Sequence, residues 1–408
     1  MSNLQLSAIG YQDIYLIDNS KETLNFMEYK YEKYRNIAII PNKINSRETI
    51  NFGKKIIFTI PKDKGDFLNK MFLYLTLPKI NQPTGFEEYI GYTNSIMNTL
   101  IKKVELDIGR VTIATSYGIT SEIYDEYSLT NKDLLIGKSD TNLSLKFNAL
   151  NEHTYYYPLN FWFNKDISNS LPLLLMRNSE ITLSFYLRDL SECLVYNIND
   201  DLIQNYISQL NILSGGLIAN YILVDNDYRN SFYNDNKLNT KSYLIEQELL
   251  ITESIPQNKL NYSVSLILNN PIKALYFVFV ETNSELNNDW FNFNRRSDNK
   301  PLMVEMNLQL DGIDKYNDLL PESYFRLVHS FEYFNNIPNK FIYCIPFSCK
   351  NPMDLNPSGT INGSRISEFK YRLIMNSDNN PECNMYIIAV NYNILKIRQG
   401  YSAIAFMD

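Results

Sequence analysis

Val104-Glu105-Leu106-Asp107-Ile108-Gly109 alternates apolar and polar side chains and stops at a glycine; Met306-Asn307-Leu308-Gln309-Leu310-Asp311-Gly312 does the same in the second half of the chain. Period-two alternation puts one set of side chains on a single face, the mark of a half-buried strand. What flanks the first segment also flanks the second, in the same order. Phe58-Thr59-Ile60-Pro61 turns into a strand beginning at Lys70, and Leu266-Ile267-Leu268-Asn269-Asn270-Pro271 into one beginning at Lys273. A helical spacing follows each segment: residues 119–127, with Thr120 or Ser121 as candidate N-caps, and 321–329, with Pro321 in the first turn. Tyr157-Pro158 then answers Ile345-Pro346, and strands at 181–187 and 369–374 close the two units. One matching pair is cheap by chance, but a shared order is not, so the chain reads as two successive units of about 200 residues. Ser214-Gly215-Gly216, a flexible glycine pair, marks the join.

Further strand-length runs at 55–60, 70–77, 221–224, 263–268, 274–280, 341–345 and 385–390 leave little room for helix. The 31 Tyr and 22 Phe suit pleated surfaces, and clusters such as Asn287-Asn288-Asp289 suit turns. Many short strands with few helices imply a sandwich or barrel architecture. The net charge of −7, with no basic run longer than a pair such as Lys102-Lys103, argues against direct nucleic-acid binding. Cys193, Cys344, Cys349 and Cys383 are few and unevenly spaced, and read as free thiols. The first residues show no secretory leader, and the longest apolar stretches, 171–176 and 274–280, are far short of a bilayer span. The expectation is a soluble protein made inside the cell.

Specific motifs narrow this class. Ile9-Gly10-Tyr11-Gln12-Asp13-Ile14-Tyr15-Leu16 opens the chain. Leu100 to Gly109, Tyr117-Gly118 with Glu122-Ile123 and Glu126, and Pro158-Leu159-Asn160-Phe161-Trp162-Phe163 follow. The second half carries Tyr243 to Gln247, Asp289-Trp290, Gln309 to Gly312, and Pro357-Ser358-Gly359-Thr360-Ile361-Asn362-Gly363-Ser364-Arg365-Ile366. In this order the set resembles the major capsid proteins of nucleocytoplasmic large DNA viruses. The resemblance implies an all-β protein: two consecutive eight-stranded jelly-roll β-sandwiches with short helices in their loops, behind an N-terminal arm. Residues 1–40 would form the arm, 41–213 the first roll and 214–408 the second.

The same resemblance implies a homotrimeric, pseudo-hexagonal capsomer tiling an icosahedral virion shell. Neighbouring capsomers, minor capsid and penton proteins would be its partners, with an inner viral membrane beneath and assembly in the host cytoplasm. A poxvirus-like double jelly-roll scaffold protein coating immature membranes, or a carbohydrate-binding β-sandwich module, are the alternatives. In the sharpest motif, Pro357 presets a turn, Gly359 can take left-handed angles, and Asn362-Gly363 is a pair favoured at positive φ. That loop is read either as a rigid lead into the strand at Phe369 or as a subunit contact made by Arg365.

Catalysis finds no support. His153 and His329 are the only histidines, one per unit, and no nucleophile elbow, phosphate loop or dinucleotide fingerprint occurs. No cofactor, metal or catalytic residue is expected. Asp125-Glu126 reads as a solvated helix edge, and the sequons at Asn142, Asn261 and Asn362 as turn residues.

Overall fold

In the computed structural model, residues 36–83, 88–128, 132–139, 148–198, 203, 206–236, 239–376 and 380–406 are described. Gly10, Gln12, Asp13 and Tyr15, with most of the expected arm, lie outside the described residues. The first half contributes strands β1 (Ile37–Ile44), β2 (Lys55–Thr59), β3 (Phe67–Leu77), β4 (Ile101–Ile108), β5 (Val111–Tyr117), β6 (His153–Pro158), β7 (Ile181–Leu187) and β8 (Ser214–Val224). They pair antiparallel in the orders β1-β8-β3-β6 and β2-β7-β4-β5. The second half contributes β9 (Lys241–Ile255), β10 (Asn261–Leu266), β11 (Pro271–Glu281), β12 (Met303–Leu310), β13 (Ile313–Asp314), β14 (Tyr343–Pro346), β15 (Phe369–Met375) and β16 (Cys383–Arg398). Their orders, β9-β16-β11-β14 and β10-β15-β12-β13, repeat the first pair strand for strand. Two facing sheets of four main strands in this interleaved order are a jelly roll, and the chain folds as two of them in succession, the second with short strands added at Leu320–Pro321, Ile361–Asn362 and Tyr401–Ile404.

Alternation explains the strands. In β4 the even-numbered Val104, Leu106 and Ile108 are buried while Glu105 and Asp107 are half-exposed. Phe58, Leu73, Leu183 and Phe185 meet them in the first core, and Phe277, Met306, Leu308, Tyr371 and Met385 fill the second. The paired devices read from sequence fall on equivalent strands: β2 and β10, β4 and β12, β6 and β14, β7 and β15.

The join is corrected. Ser214-Gly215-Gly216 is not a linker: it opens β8, in register with Thr76, Leu75 and Tyr74 of β3. Glycine serves close approach there, since a Cβ on Gly216 would lie 2.9 Å from the Tyr74 hydroxyl. Strands β7 and β15 do not close their rolls either; β8 and β16 do, each inserted between the first and third strands of its sheet. Residues 37–40, expected in the arm, already belong to β1. The chain passes from one roll to the next through helix Asn226–Asn236.

The helices also differ in detail. The first runs Gly118–Tyr127 (α1), and neither Thr120 nor Ser121 caps it; Tyr117 holds that position without a side-chain hydrogen bond. The second begins as a π-helical turn, Tyr324–Val328, and continues as His329–Tyr333.

Candidate functional site: the seam between the rolls

Helix α1 belongs to the first roll by sequence and to the second by packing. It leaves β5 at Gly118, where a Cβ would come within 2.1 Å of the Asn98 carbonyl oxygen and 2.3 Å of that of Ile101. Only glycine admits so close an approach. Ile123, Tyr124 and Tyr127 then lie on the outer face of sheet β9-β16-β11-β14, against Tyr276, Val278, Ile388, Val390, Ile342 and Cys344. Strand β11 is therefore buried on both faces, Leu275, Phe277 and Phe279 inward and Ala274, Tyr276 and Val278 toward α1. Tyr127 stacks on Phe334 with ring centroids 4.0 Å apart, and Tyr124 meets Tyr276 edge-on at 5.7 Å.

Charge is buried in the same seam. Glu122 has no exposed side-chain surface; its carboxylate accepts from Lys340 Nζ at 2.5 Å and Asn98 Nδ2 at 2.8 Å, with Lys138 at 3.8 Å. Glu126 takes Lys138 at 2.8 Å and Lys340 at 3.3 Å. Burial alone would raise the Glu122 carboxyl, but the Lys340 and Lys138 ammonium groups outweigh it and hold the group below the usual carboxylate range. Asp125 meets Lys132 at 2.5 Å with little side-chain exposure. The Asp125-Glu126 pair is thus not a solvated edge: the second roll covers the face that the helix turns to it.

Further ties cross the seam at Lys165, Asn288 and Trp290. Lys165 of the first roll donates to Glu246 of β9 at 2.5 Å, and Lys273 of β11 pairs with the other oxygen of that carboxylate. Burial pulls Lys273 down to about 8 despite Glu246, and pushes neighbouring Glu248 up to about 8 against the pull of Lys165. At the opposite end Trp290 Nε1 donates to the Glu192 carbonyl at 2.8 Å while the Arg188 guanidinium lies 3.9 Å over the indole. Asn288 Nδ2 donates to the carbonyls of Ser191 and Leu194.

The residues singled out from sequence do not form one site. Trp290 and its neighbour Asp289, which accepts from Asn292, sit at the seam. Phe161 and Trp162 are buried in the first core, and Pro158 ends β6 opposite Phe72. The 357–366 segment is a lock on the second roll. Ser358 binds the Cys349 and Lys350 amides, Ile361–Asn362 pairs with the start of β11, Asn362 caps Ser364, and the Ser364 hydroxyl accepts from the Asn270 amide. Thr360 is exposed. Gly359 has φ 146°, but Asn362 has φ −81° and Gly363 is not at positive φ. Gly363 is needed instead because a Cβ would lie 2.7 Å from the Leu268 carbonyl. Arg365 is exposed and has no ion-pair partner among the described residues. His329 is buried with Nδ1 2.7 Å from the Cys344 carbonyl, and burial pushes it below its usual range; exposed His153 packs on Tyr155. Lys340, Lys138, Lys165 and Lys273 carry no motif; the carboxylates that Lys340 and Lys165 meet, Glu122 and Glu246, lie 218 and 81 positions away in sequence.

Two jelly rolls of one topology, tied by a buried seam that holds them side by side, define a double jelly-roll protein. Residues 25–228 match the family described as major capsid protein N-terminus, and residues 237–403 that described as large eukaryotic DNA virus major capsid protein. The chain belongs to this capsid protein family, and the break between the two matches falls on the helix that joins the rolls. It is 24% identical to the major capsid protein of Pyramimonas orientalis virus, over 99% of each chain. A probable capsid protein 4 of Acanthamoeba polyphaga mimivirus is likewise 24% identical, over 99% of this chain and 98% of that one. Its fold matches the PBCV-1 virus capsid protein, with TM-score 0.77 at 21% identity over 94% of this chain and all of that one. The Faustovirus major capsid protein matches with TM-score 0.73 at 13% identity, over 95% and 94% of the two chains. The protein is a structural component of a virion capsid, assembling with further capsomers, and not an enzyme.

Proposed function

We propose that three copies of the chain close into a pseudo-hexagonal homotrimeric capsomer that tiles an icosahedral shell. The observation that carries this reading is the repetition of one strand order in two rolls held side by side by a buried seam. Each chain then presents two similar building blocks, and heterologous contacts between chains close a ring. We take the first roll as residues 37–224 and the second as 241–404, with residues 1–35 as an arm for contacts with minor capsid and penton proteins and an inner viral membrane. Shell assembly is placed in the host cytoplasm. Light scattering on the purified chain tests the capsomer: a mass three times the 47.7 kDa of one chain is expected, and a mass of one chain overturns it. Deleting the arm should leave the trimer and impair shell assembly.

A further inference from the structure

Each roll carries a helix after its fifth strand and an outer sheet face, but the single seam within a chain uses only one of each. Helix α1 of the first roll covers the outer face of the second, where Tyr276, Val278, Ile388 and Cys344 are essentially inaccessible. Among the described residues, the helix of the second roll and the outer face of the first are left over.

The leftover helix has an apolar face. Leu327, Val328 and Phe331 stand at helical spacing, and Phe331 is 80% exposed. The leftover sheet face is matched to the covered one by register. The row Pro346, Ala274 and Val390 in the second roll corresponds to Pro158, Phe72 and Ile218 in the first. The row Cys344, Tyr276 and Ile388 corresponds to Tyr156, Tyr74 and Gly216. Phe72, Tyr156, Pro158 and Ile218 are only half-buried, an apolar and aromatic surface where its counterpart in the second roll is sealed. Charge follows the same direction. At the seam an acidic helix meets a lysine; on the leftover pair, exposed Glu332 lies on the helix and exposed Lys43 spreads over Tyr74 on the sheet.

We infer that the helical segment 324–333 docks on the outer face of sheet β1-β8-β3-β6 of a second copy of this chain, reproducing between chains the contact that α1 makes within one. The contact is head-to-tail, so each chain gives a helix to one neighbour and receives one from the other. The inference rests on the trimer reading and supplies its interface. Phe331 is the anchor, a large exposed aromatic that docking would desolvate.

The test places a photo-crosslinking phenylalanine analogue at position 331 in the full-length protein, prepared as an equal mixture of ¹⁴N- and ¹⁵N-labelled chains. Light scattering is run on the same sample, and the adducts are mapped by mass spectrometry. A trimer whose adducts join differently labelled chains, at residues of β1, β3, β6 or β8, is the expected result. A trimer with adducts elsewhere, within one chain only, or absent overturns the docking while leaving the trimer standing. A monomer overturns both. In parallel, Phe331→Asp, at a position the fold does not bury, should raise the concentration at which trimers dissociate about ten-fold or more; an unchanged dissociation midpoint counts against the contact.

Discussion

Replacing Lys340 by Met should loosen the seam without emptying it. Methionine keeps the length and apolar stem of lysine but removes the cation 2.5 Å from Glu122 and 3.3 Å from Glu126. Glu122 would remain fully buried, with Lys138 at 3.8 Å as its remaining cation. Removing one partner of a buried pair costs about 3–5 kcal/mol, mainly because a charge is left uncompensated. Lys340 keeps 24% of its side chain in solvent and Lys138 remains, so about 2–3 kcal/mol is the fitting range here. Equilibrium urea unfolding at pH 7.5 of wild type, Lys340→Met, Glu122→Gln and the double variant measures it. The double variant should cost less than the sum of the singles by about 1–2 kcal/mol, the coupling expected for neighbours in one network. The gap between wild type and Lys340→Met should also shrink in acid. The Glu122 carboxyl is held below its ordinary range, so its contribution is present above that range and lost as pH falls through the lowered value. A loss within about 0.5 kcal/mol of zero, or strict additivity, would refute the account of the seam as an electrostatic lock.

Glu248→Gln should change the pH profile in the opposite sense. Burial pushes this carboxyl up to about 8, so the stability tied to its neutral form is complete below the ordinary carboxylate range and declines as pH rises toward that value. The variant should therefore gain on wild type between pH 5.5 and 8.5 in urea midpoint, and an equal difference at both would show that Glu248 ionises normally. Gly118→Ala should cost about 3 kcal/mol or more, since backbone carbonyls stand 2.1 and 2.3 Å from the new methyl; a thermal melt within a degree of wild type would contradict it. Gly359→Ala, at φ 146° and 2.8 Å from the Phe347 carbonyl, should cost about 1–3 kcal/mol, whereas Gly312→Ala, at φ 80° with nothing within 4 Å, should cost about 1. Equal losses by calorimetry would remove the steric half of that argument.

The strands and their repetition were readable because each roll buries one face of each sheet, and period two survives in segments such as Val104–Ile108 and Met306–Leu310. Glycine misled at Gly215-Gly216. The residues that suggest a loop are there because β8 must run close under Tyr74, a demand set by a neighbouring strand. The seam was the least legible part. Glu122 and Glu126 look like any polar helix face until the second roll arrives to cover them, and Lys340 sits more than two hundred positions away from Glu122. Asp289-Trp290 was visible as a motif, but its partners, the Glu192 carbonyl and the Arg188 guanidinium, were not. Strand β11 hinted at more than it revealed: an uninterrupted apolar run signals burial on both faces without saying what lies on the second.

The helix Asn226–Asn236 that joins the rolls has no fully buried residue; Phe232 and Tyr233 only lean on the first core. Covalent continuity there adds little to packing, since the seam already holds the halves together. Its contribution is parity. A short tether keeps the second roll near the first at about millimolar effective concentration, in a fixed one-to-one ratio. In the proposed ring, which alternates the two kinds of roll, the diverged faces around Tyr74 and Tyr276 then meet their proper counterparts by construction. No sorting among look-alike subunits is needed, and the two halves of the chain are free to drift apart in sequence while their order around the ring stays the same.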